Sequence, residues 1–404
     1  MQAKPDHPDT TLNSQAQQDA AYWSGVFAMS LCIFALIASE FMPVSLLTPI
    51  ASSFGVSEGM VGQGIAISGA FAVLTSLFIP VIAGELARKY LLLGMTALMG
   101  VSGAVIALSA NYFTYMLGRI LIGVVVGGFW SMSAAAAMRL VPAHKVPRAL
   151  AIFNGGNALA MIIAAPLGAY LGAVMGWRGA FFCLVPLSVV TFVWQWRSLP
   201  LMPVTSSANK GNPALQVVGL LARRYVLIGS LAVGTFFMGQ FTLYTYVRPF
   251  LESALAADVQ TVSSVLLVIG IAGFVGTSLV NRVLSISVNK TLIVIPILMA
   301  VIALLIVSLQ SALLPVVILL ALWGFIATAA PVGWWAWLTN NLPDDAEAGG
   351  GLMVAVIQLS IALGSTLGGL LFDTKGYAVT FVASAGLLFV AALLARASAK
   401  YSQA

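Results

Sequence analysis

Residues 313–330 read Leu-Leu-Pro-Val-Val-Ile-Leu-Leu-Ala-Leu-Trp-Gly-Phe-Ile-Ala-Thr-Ala-Ala, without a single charge. A helix that crosses a bilayer needs roughly 20 mostly apolar residues. A strand of a membrane barrel needs about ten that alternate in polarity. Nothing alternates here, so the stretch is read as a helix in lipid. Working outward, similar runs fill the chain and predict spans at 23–48, 59–83, 91–110, 113–138, 148–173, 179–197, 224–248, 260–283, 291–309, 311–338, 350–372 and 378–396. The expected fold class is all-α and integral to the membrane, with twelve helices. Two of the separating turns, at Ala110-Asn111 and Gln310-Ser311, are very short. Composition agrees: of 404 residues, 60% are hydrophobic and 7% charged, against about 25% charged in a soluble domain. Such a chain cannot cover its surface with groups that water solvates.

Charge sets the expected orientation. With the N-terminus inside, fourteen of the eighteen basic residues, Arg88, Lys89, Arg139 and Arg224 among them, fall in cytoplasmic segments. Arg178, Arg248 and Lys375 fall outside, and Arg119 lies within the membrane. This bias follows the positive-inside tendency and predicts an inner-membrane, multi-pass protein with both termini in the cytoplasm. It also accounts for the net charge of +6 without a nucleic-acid partner. The first 20 residues are polar, with no apolar stretch of the signal-peptide kind. Cys32 and Cys183 fall inside predicted spans and read as small packing residues. His7 and His144 sit in polar segments, and no ligand-spaced Cys or His pair occurs, so no metal site is expected.

The longest polar interruption, 198–222, reads as a cytoplasmic linker between two six-helix bundles at 23–197 and 223–397. Tails at 1–22 and 398–404 flank them. The halves echo each other at an offset of 200. Glu40-Phe41 and Pro49 match Gln240-Phe241 and Pro249; Leu167-Gly168 matches Leu367-Gly368; Gly176 matches Gly376. Two pseudo-symmetric bundles joined by a linker suggest the major facilitator fold, whose solute site lies between the halves near the midplane and changes sides as they rock.

Two charges lie deep in predicted spans. An ionised side chain at the bilayer centre costs about 2.5–3.5 kcal/mol on insertion scales, so Glu40 and Arg119 need a reason. At 1.5 Å per residue both fall about 9–12 Å from the outer end of their helices, so they can meet if the helices are neighbours. One reading makes Glu40 a proton site that loads outside and releases inside, with Arg119 favouring release. The other makes the two a static ion pair. Gln63, Asn154, Asn157, Gln240, Tyr244, Tyr246 and Gln358 also fall within spans. Buried amides and phenols need partners, either a neighbouring helix or a solute. Gln240 stands out as the repeat mate of Glu40. Phe129-Trp130 and Trp334-Trp335-Ala-Trp337 are read as packing or interfacial belt, or as a stacking surface for a flat ring. Gly118, Gly123, Gly127 and Gly128 include the small-xxx-small spacing that lets backbones approach.

Arg119 followed by Gly123 and Gly127 resembles the helix-4 signature of proton-coupled facilitators. Asn154-Gly-Gly156 with Ala165-Pro166-Leu-Gly168 resembles the helix-5 antiporter motif, with Ala165 where that motif usually has Gly. The segments Glu40-Phe-Met-Pro-Val-Ser-Leu-Leu-Thr-Pro49, Ser57 to Gln63, Gly127 to Ser133, Gln240 to Pro249 and Pro331-Val-Gly-Trp334 resemble the nucleoside-exporting members of the drug:proton antiporter branch. The likeness covers nearly the whole chain outside tails and linker. It implies export of purine ribonucleosides such as inosine and guanosine by proton antiport, energised by the proton gradient with no cofactor. Glu40 and Arg119 are the proton-coupling candidates it implies. Gln63, Phe129, Trp130, Asn154, Gln240, Tyr244, Trp334 and Gln358 are substrate-site candidates, and Gly156, Ala165, Pro166 and Gly168 form the antiporter motif. One departure is the helix 2–3 loop, Gly84-Glu-Leu-Ala-Arg88-Lys-Tyr90, which lacks the family's Asp; Glu85 is the available substitute.

Sugars or amphipathic drugs remain alternative cargo for the same machinery. A membrane enzyme would need a clustered nucleophile, base or metal set, and none is visible. No Walker-type Gly-Lys-Ser/Thr motif is present, so the expected energy source is an ion gradient. A sensor on a transporter fold would more naturally carry a sizeable soluble domain. The expected state is a monomer.

Overall fold

The structure, a computed structural model, describes residues 22–83, 86–202, 219–342 and 346–401. The expectations for the N-terminal tail, for Glu85 and for linker residues 203–218 lie outside the described residues.

Every element among the described residues is helical. In chain order they are α1 (Trp23–Phe41), a 3-10 turn (Met42–Ser45), α2 (Leu47–Phe54), α3 (Glu58–Ala83), α4 (Arg88–Ala107) and α5 (Tyr112–Leu140). Then come a 3-10 turn (Ala143–Lys145), α6 (Val146–Phe182), α7 (Leu184–Ser198), α8 (Arg224–Tyr244), α9 (Val247–Leu255) and α10 (Val259–Leu284). The last are α11 (Val288–Ser308), α12 (Leu313–Ala327), α13 (Ala330–Asn341), α14 (Ala346–Lys375) and α15 (Tyr377–Tyr401).

Among the described residues, eleven segments are long and apolar enough to cross a bilayer. One of them, Arg148–Ser198, is 51 residues long, about twice what a crossing needs. It bends at Gly176, whose φ of 75° is open to glycine and costly for other residues. The segment therefore crosses twice, and the chain makes twelve passes. Gly376, its mate at offset 200, has a φ of 81° and divides α14 from α15.

Three expected spans are broken helices, and proline explains each. Proline has no N–H to give the carbonyl four residues back. Pro43 and Pro49 interrupt the first crossing (α1, turn, α2), Pro249 accompanies the break between α8 and α9, and Pro331 that between α12 and α13. The crossings also run beyond the expected ends near 48 and 248, to Phe54 and Leu255.

The apolar cores run together where the halves meet: Val44, Ile65, Ala165 and Ala169 pack with the residues of the second half, and Tyr246 packs with those of the first. Outward-facing Phe27, Phe78, Phe113, Phe182, Phe274 and Phe389 are at least 50% exposed. A water-soluble surface does not carry apolar area on that scale; lipid tails cover it. Within the first half α5 packs on α3 backbone to backbone. A Cβ at Gly123 would lie 2.3 Å from Ser68 O, and one at Gly127 2.1 Å from Ala72 O. The small-residue spacing thus serves the α3–α5 contact. The halves meet through α3 against α14 and α6 against α10. We call outer the end bearing Ser57, Arg248 and Asp373, which the charge bias assigns to the outside.

Candidate solute and proton site

The site grows from the break in the first crossing. Pro43 cannot donate to Ser39 O, so a buried carbonyl needs another partner. Arg119, fully buried on α5, supplies it. Its Nη1 donates to Ser39 O at 3.0 Å, Nη2 to Glu40 O at 3.1 Å and to Ser68 Oγ at 3.0 Å, and Nε to Gly64 O at 3.0 Å. The cation also sits at the C-terminal end of α1, where the helix dipole favours it. The expected meeting of Arg119 and Glu40 therefore occurs through the Glu40 backbone. The static ion-pair reading is corrected: the guanidinium is committed to Ser39 O and Glu40 O at the break in the first crossing and to Gly64 O and Ser68 Oγ of α3. The Glu40 carboxylate, 5% exposed, turns the other way. Its Oε1 accepts from Gln358 Nε2 of α14 at 3.1 Å, across the boundary between the halves.

That bond is the inner end of a seam. Farther out, Thr366 Oγ1 donates to Gln63 Oε1 at 3.1 Å. At the outer rim Asp373 accepts from Ser57 Oγ at 2.5 Å and from Gly59 N at 3.0 Å, holding the start of α3. The Tyr246 hydroxyl donates to Ser365 O at 2.8 Å and fills the space where Gly62 would carry a Cβ. Phe41 stacks on Phe241, centroids 5.8 Å apart. Arg248 Nη1 donates to Ser45 O, the carbonyl that Pro49 leaves without a helical donor. Toward the opposite end the seam parts. Ile162 of α6 lies against Gly270 of α10, yet Asn154, two turns nearer that end on the same face, is exposed. Gly351, two turns before Gln358 on its face of α14, has nothing within 4 Å of its Cβ position.

The sequence matches the model of the Major Facilitator Superfamily over residues 29–352. This chain belongs to the Major Facilitator Superfamily. As a facilitator it is a membrane transporter and not an enzyme. It is 62% identical over 95% of both chains to a Pseudomonas aeruginosa protein named Transcription regulatory protein OpdE. It is 39% identical over 94% of both chains to the Purine ribonucleoside efflux pump NepI of Salmonella paratyphi B. Among solved structures it shares its fold with a bacterial homologue of the lysosomal transporter Spinster (TM-score 0.76, 15% identity, 95% of this chain and 98% of that one). It likewise shares it with a D-xylose-proton symporter (TM-score 0.73, 16% identity, 92% and 97%).

In this facilitator the helix-5 residues are packing surfaces. A Cβ on Gly156 would lie 2.4 Å from Ser30 O, and one on Gly168 2.6 Å from Ser45 Oγ. Both glycines thus press α6 onto the broken first crossing. Pro166 withholds an N–H from Ile162 O, and the backbone at Ile162 is what Gly270 lies against. Ala165, 4% exposed, joins the core of the opposite half.

The polar and aromatic candidates divide. Gln358 serves Glu40, and Gln63 serves Thr366. Gln240 is buried, and its Oε1 has no hydrogen-bond partner. Tyr244 and Trp130 are half-buried, with Tyr244 edge-on to Phe241 at 6.0 Å. Asn154 is open to the cleft. Two candidates are corrected. Phe129 is fully buried in the first half's core, and Trp334, 1% exposed, packs on Trp337 and Phe236. Neither offers a free ring face, because neighbouring side chains already cover them; the Trp334 N–H is nevertheless unpartnered. Sequence reading missed Arg248, assigned to the outside but only 4% exposed. Its signal was available in the carbonyl four residues before Pro49. Tyr246 was among the phenols that needed a partner, and finds Ser365 O; Asp373 as a seam residue left no comparable trace.

Proposed function

We propose that this facilitator exports purine ribonucleosides across the inner membrane in exchange for protons, as a monomer with both termini in the cytoplasm. The observation that carries this reading is Glu40, a buried acid at the junction of the two halves, bonded to the opposite half beside a buried arginine. The relative named as a purine ribonucleoside efflux pump supports the choice of cargo. With the seam joined at the outer end, the conformation opens inward. There Glu40 gives its proton to cytoplasmic water and a solute enters the cleft past Asn154. After the halves rock, Glu40 faces outside water, takes up a proton, and the solute leaves. Gln240, Tyr244 and Trp130 are the groups with spare polar or ring surface for a nucleoside. The chain's own acid and the gradient suffice as the energy route, with no cofactor.

Vesicles loaded with radiolabelled inosine test this. Export should accelerate with an inward proton gradient, and Glu40→Gln should abolish that acceleration. Equal gradient response in the variant removes Glu40 from coupling. Movement of a sugar or a dye but not inosine replaces the cargo. The name of the Pseudomonas relative favours a second reading, a membrane sensor on a transporter fold. A sensor would move no solute in the same vesicles.

A further inference from the structure

We propose that Gln358 is a latch that keeps the empty, proton-free carrier from changing sides. This rests on Glu40 being the proton site. A proton antiporter that crosses empty after releasing its proton inside lets protons run down without moving cargo. Something must therefore hold the outer seam shut when Glu40 is ionised and the cleft is empty.

Gln358 has the right place and chemistry. Its Nε2 donates to Glu40 Oε1 at 3.1 Å across the halves, between residues 318 apart in sequence. Its own backbone is seated: a Cβ on Gly69 of α3 would lie 2.8 Å from Gln358 O. The amide is thus aimed at Glu40 by a close helix contact. Among the described residues, Arg119 is the charged group that acts on Glu40. It belongs to the same half as Glu40 and cannot tie the halves together. The tie from Glu40 to the other half is the amide.

The bond also reads charge. An ionised carboxylate only accepts, and a hydrogen bond to it is roughly twice as strong as one to a neutral group. When Glu40 is protonated the same contact weakens. A solute that takes the Gln358 amide or the Glu40 oxygen for itself has the same effect. Release thus requires a proton or cargo, the two occasions on which an exchanger is meant to turn. Two further acids stand at the outer end of the seam, away from Glu40: Asp373, which accepts from Ser57 and Gly59, and Glu252, which pairs with Arg248. The repeat mate of Glu40, Gln240, forms no such tie through its Oε1, which is unpartnered; the latch is one-sided.

Proteoliposomes holding a pH dye test this with no cargo present. Wild type should be proton-tight. Gln358→Leu should leak protons on the order of tenfold faster, the scale of losing one hydrogen bond to a charged group. It should also lose uphill inosine movement. Gln358→Lys should replace the hydrogen bond with an ion pair. A Thr366→Cys reporter, with Cys32 and Cys183 replaced, should then be shielded from an impermeant outside maleimide. Should Gln358→Leu fail to fold, the reporter alone decides, in an Asp373→Asn background that removes the rim acid: relative to a free thiol at the same pH, acid should raise its outside labelling when Gln358 is present. A tight, fully coupled Gln358→Leu, or labelling indifferent to acid, overturns the latch. Gradient-driven export that survives in Glu40→Gln overturns the proton-site reading itself, whatever Gln358 does.

Discussion

Two arginines and two prolines in this protein follow one rule at the level of single residues. Pro43 and Pro49 withhold donors from Ser39 O and Ser45 O, and Arg119 and Arg248 supply them. Removing Arg119 leaves buried carbonyls unpaired, at about 1–3 kcal/mol each. Arg119→Leu should therefore lower unfolding stability in detergent by at least about 2 kcal/mol. Pro43→Ala returns an N–H to Ser39 O, so the loss in the double variant should be smaller than the sum by about 1 kcal/mol. Additive losses would show that the arginine does not serve the carbonyl that proline exposes. The burial of Arg119 was legible from depth alone. Its partners were not, because an arginine in a low-dielectric interior takes any well-placed oxygen, and backbone oxygens carry no letter in the sequence.

Helices in lipid have little hydrophobic reason to associate, so at the scale of elements contact falls to small residues. Gly127 and Gly155 occupy adjacent crossings and make opposite predictions. Gly127→Ala puts a Cβ 2.1 Å from Ala72 O, with only backbone to yield, and should cut thermal stability and folded yield sharply. Gly155 has nothing within 4 Å of its Cβ position, so Gly155→Ala should be neutral or stabilise by up to about 1 kcal/mol through helix propensity. Matched melting curves decide the pair, and equal losses would contradict the packing described. The spacing of Gly123 and Gly127 announced a tight contact. It did not say that α3 is the partner, since the rotation of each helix about its axis depends on all its neighbours.

Across the whole molecule the decisive feature is a seam joined at one end and parted at the other. If alternation proceeds by rocking about it, joining the outer rim covalently must stop transport. Ser57→Cys with Asp373→Cys, in a background lacking Cys32 and Cys183, should lose inosine exchange on oxidation and regain it on reduction. Exchange that continues with the cross-link formed would mean that the rim does not open. The number of passes and their helical nature were readable in one dimension, because hydropathy and helix length are local properties; where the crossings break was not, since Pro43, Pro249 and Pro331 accompany breaks while Pro166 and Pro296 lie inside helices that continue through them. The repeat at offset 200 also pointed to two halves. Which groups meet across those halves came only from the folded chain. In a medium without water every buried polar group must find a partner, so the sequence states that Glu40 and Gln358 need one. That they choose each other, 318 residues apart, depends on how the helices pack and on which faces they turn to the seam.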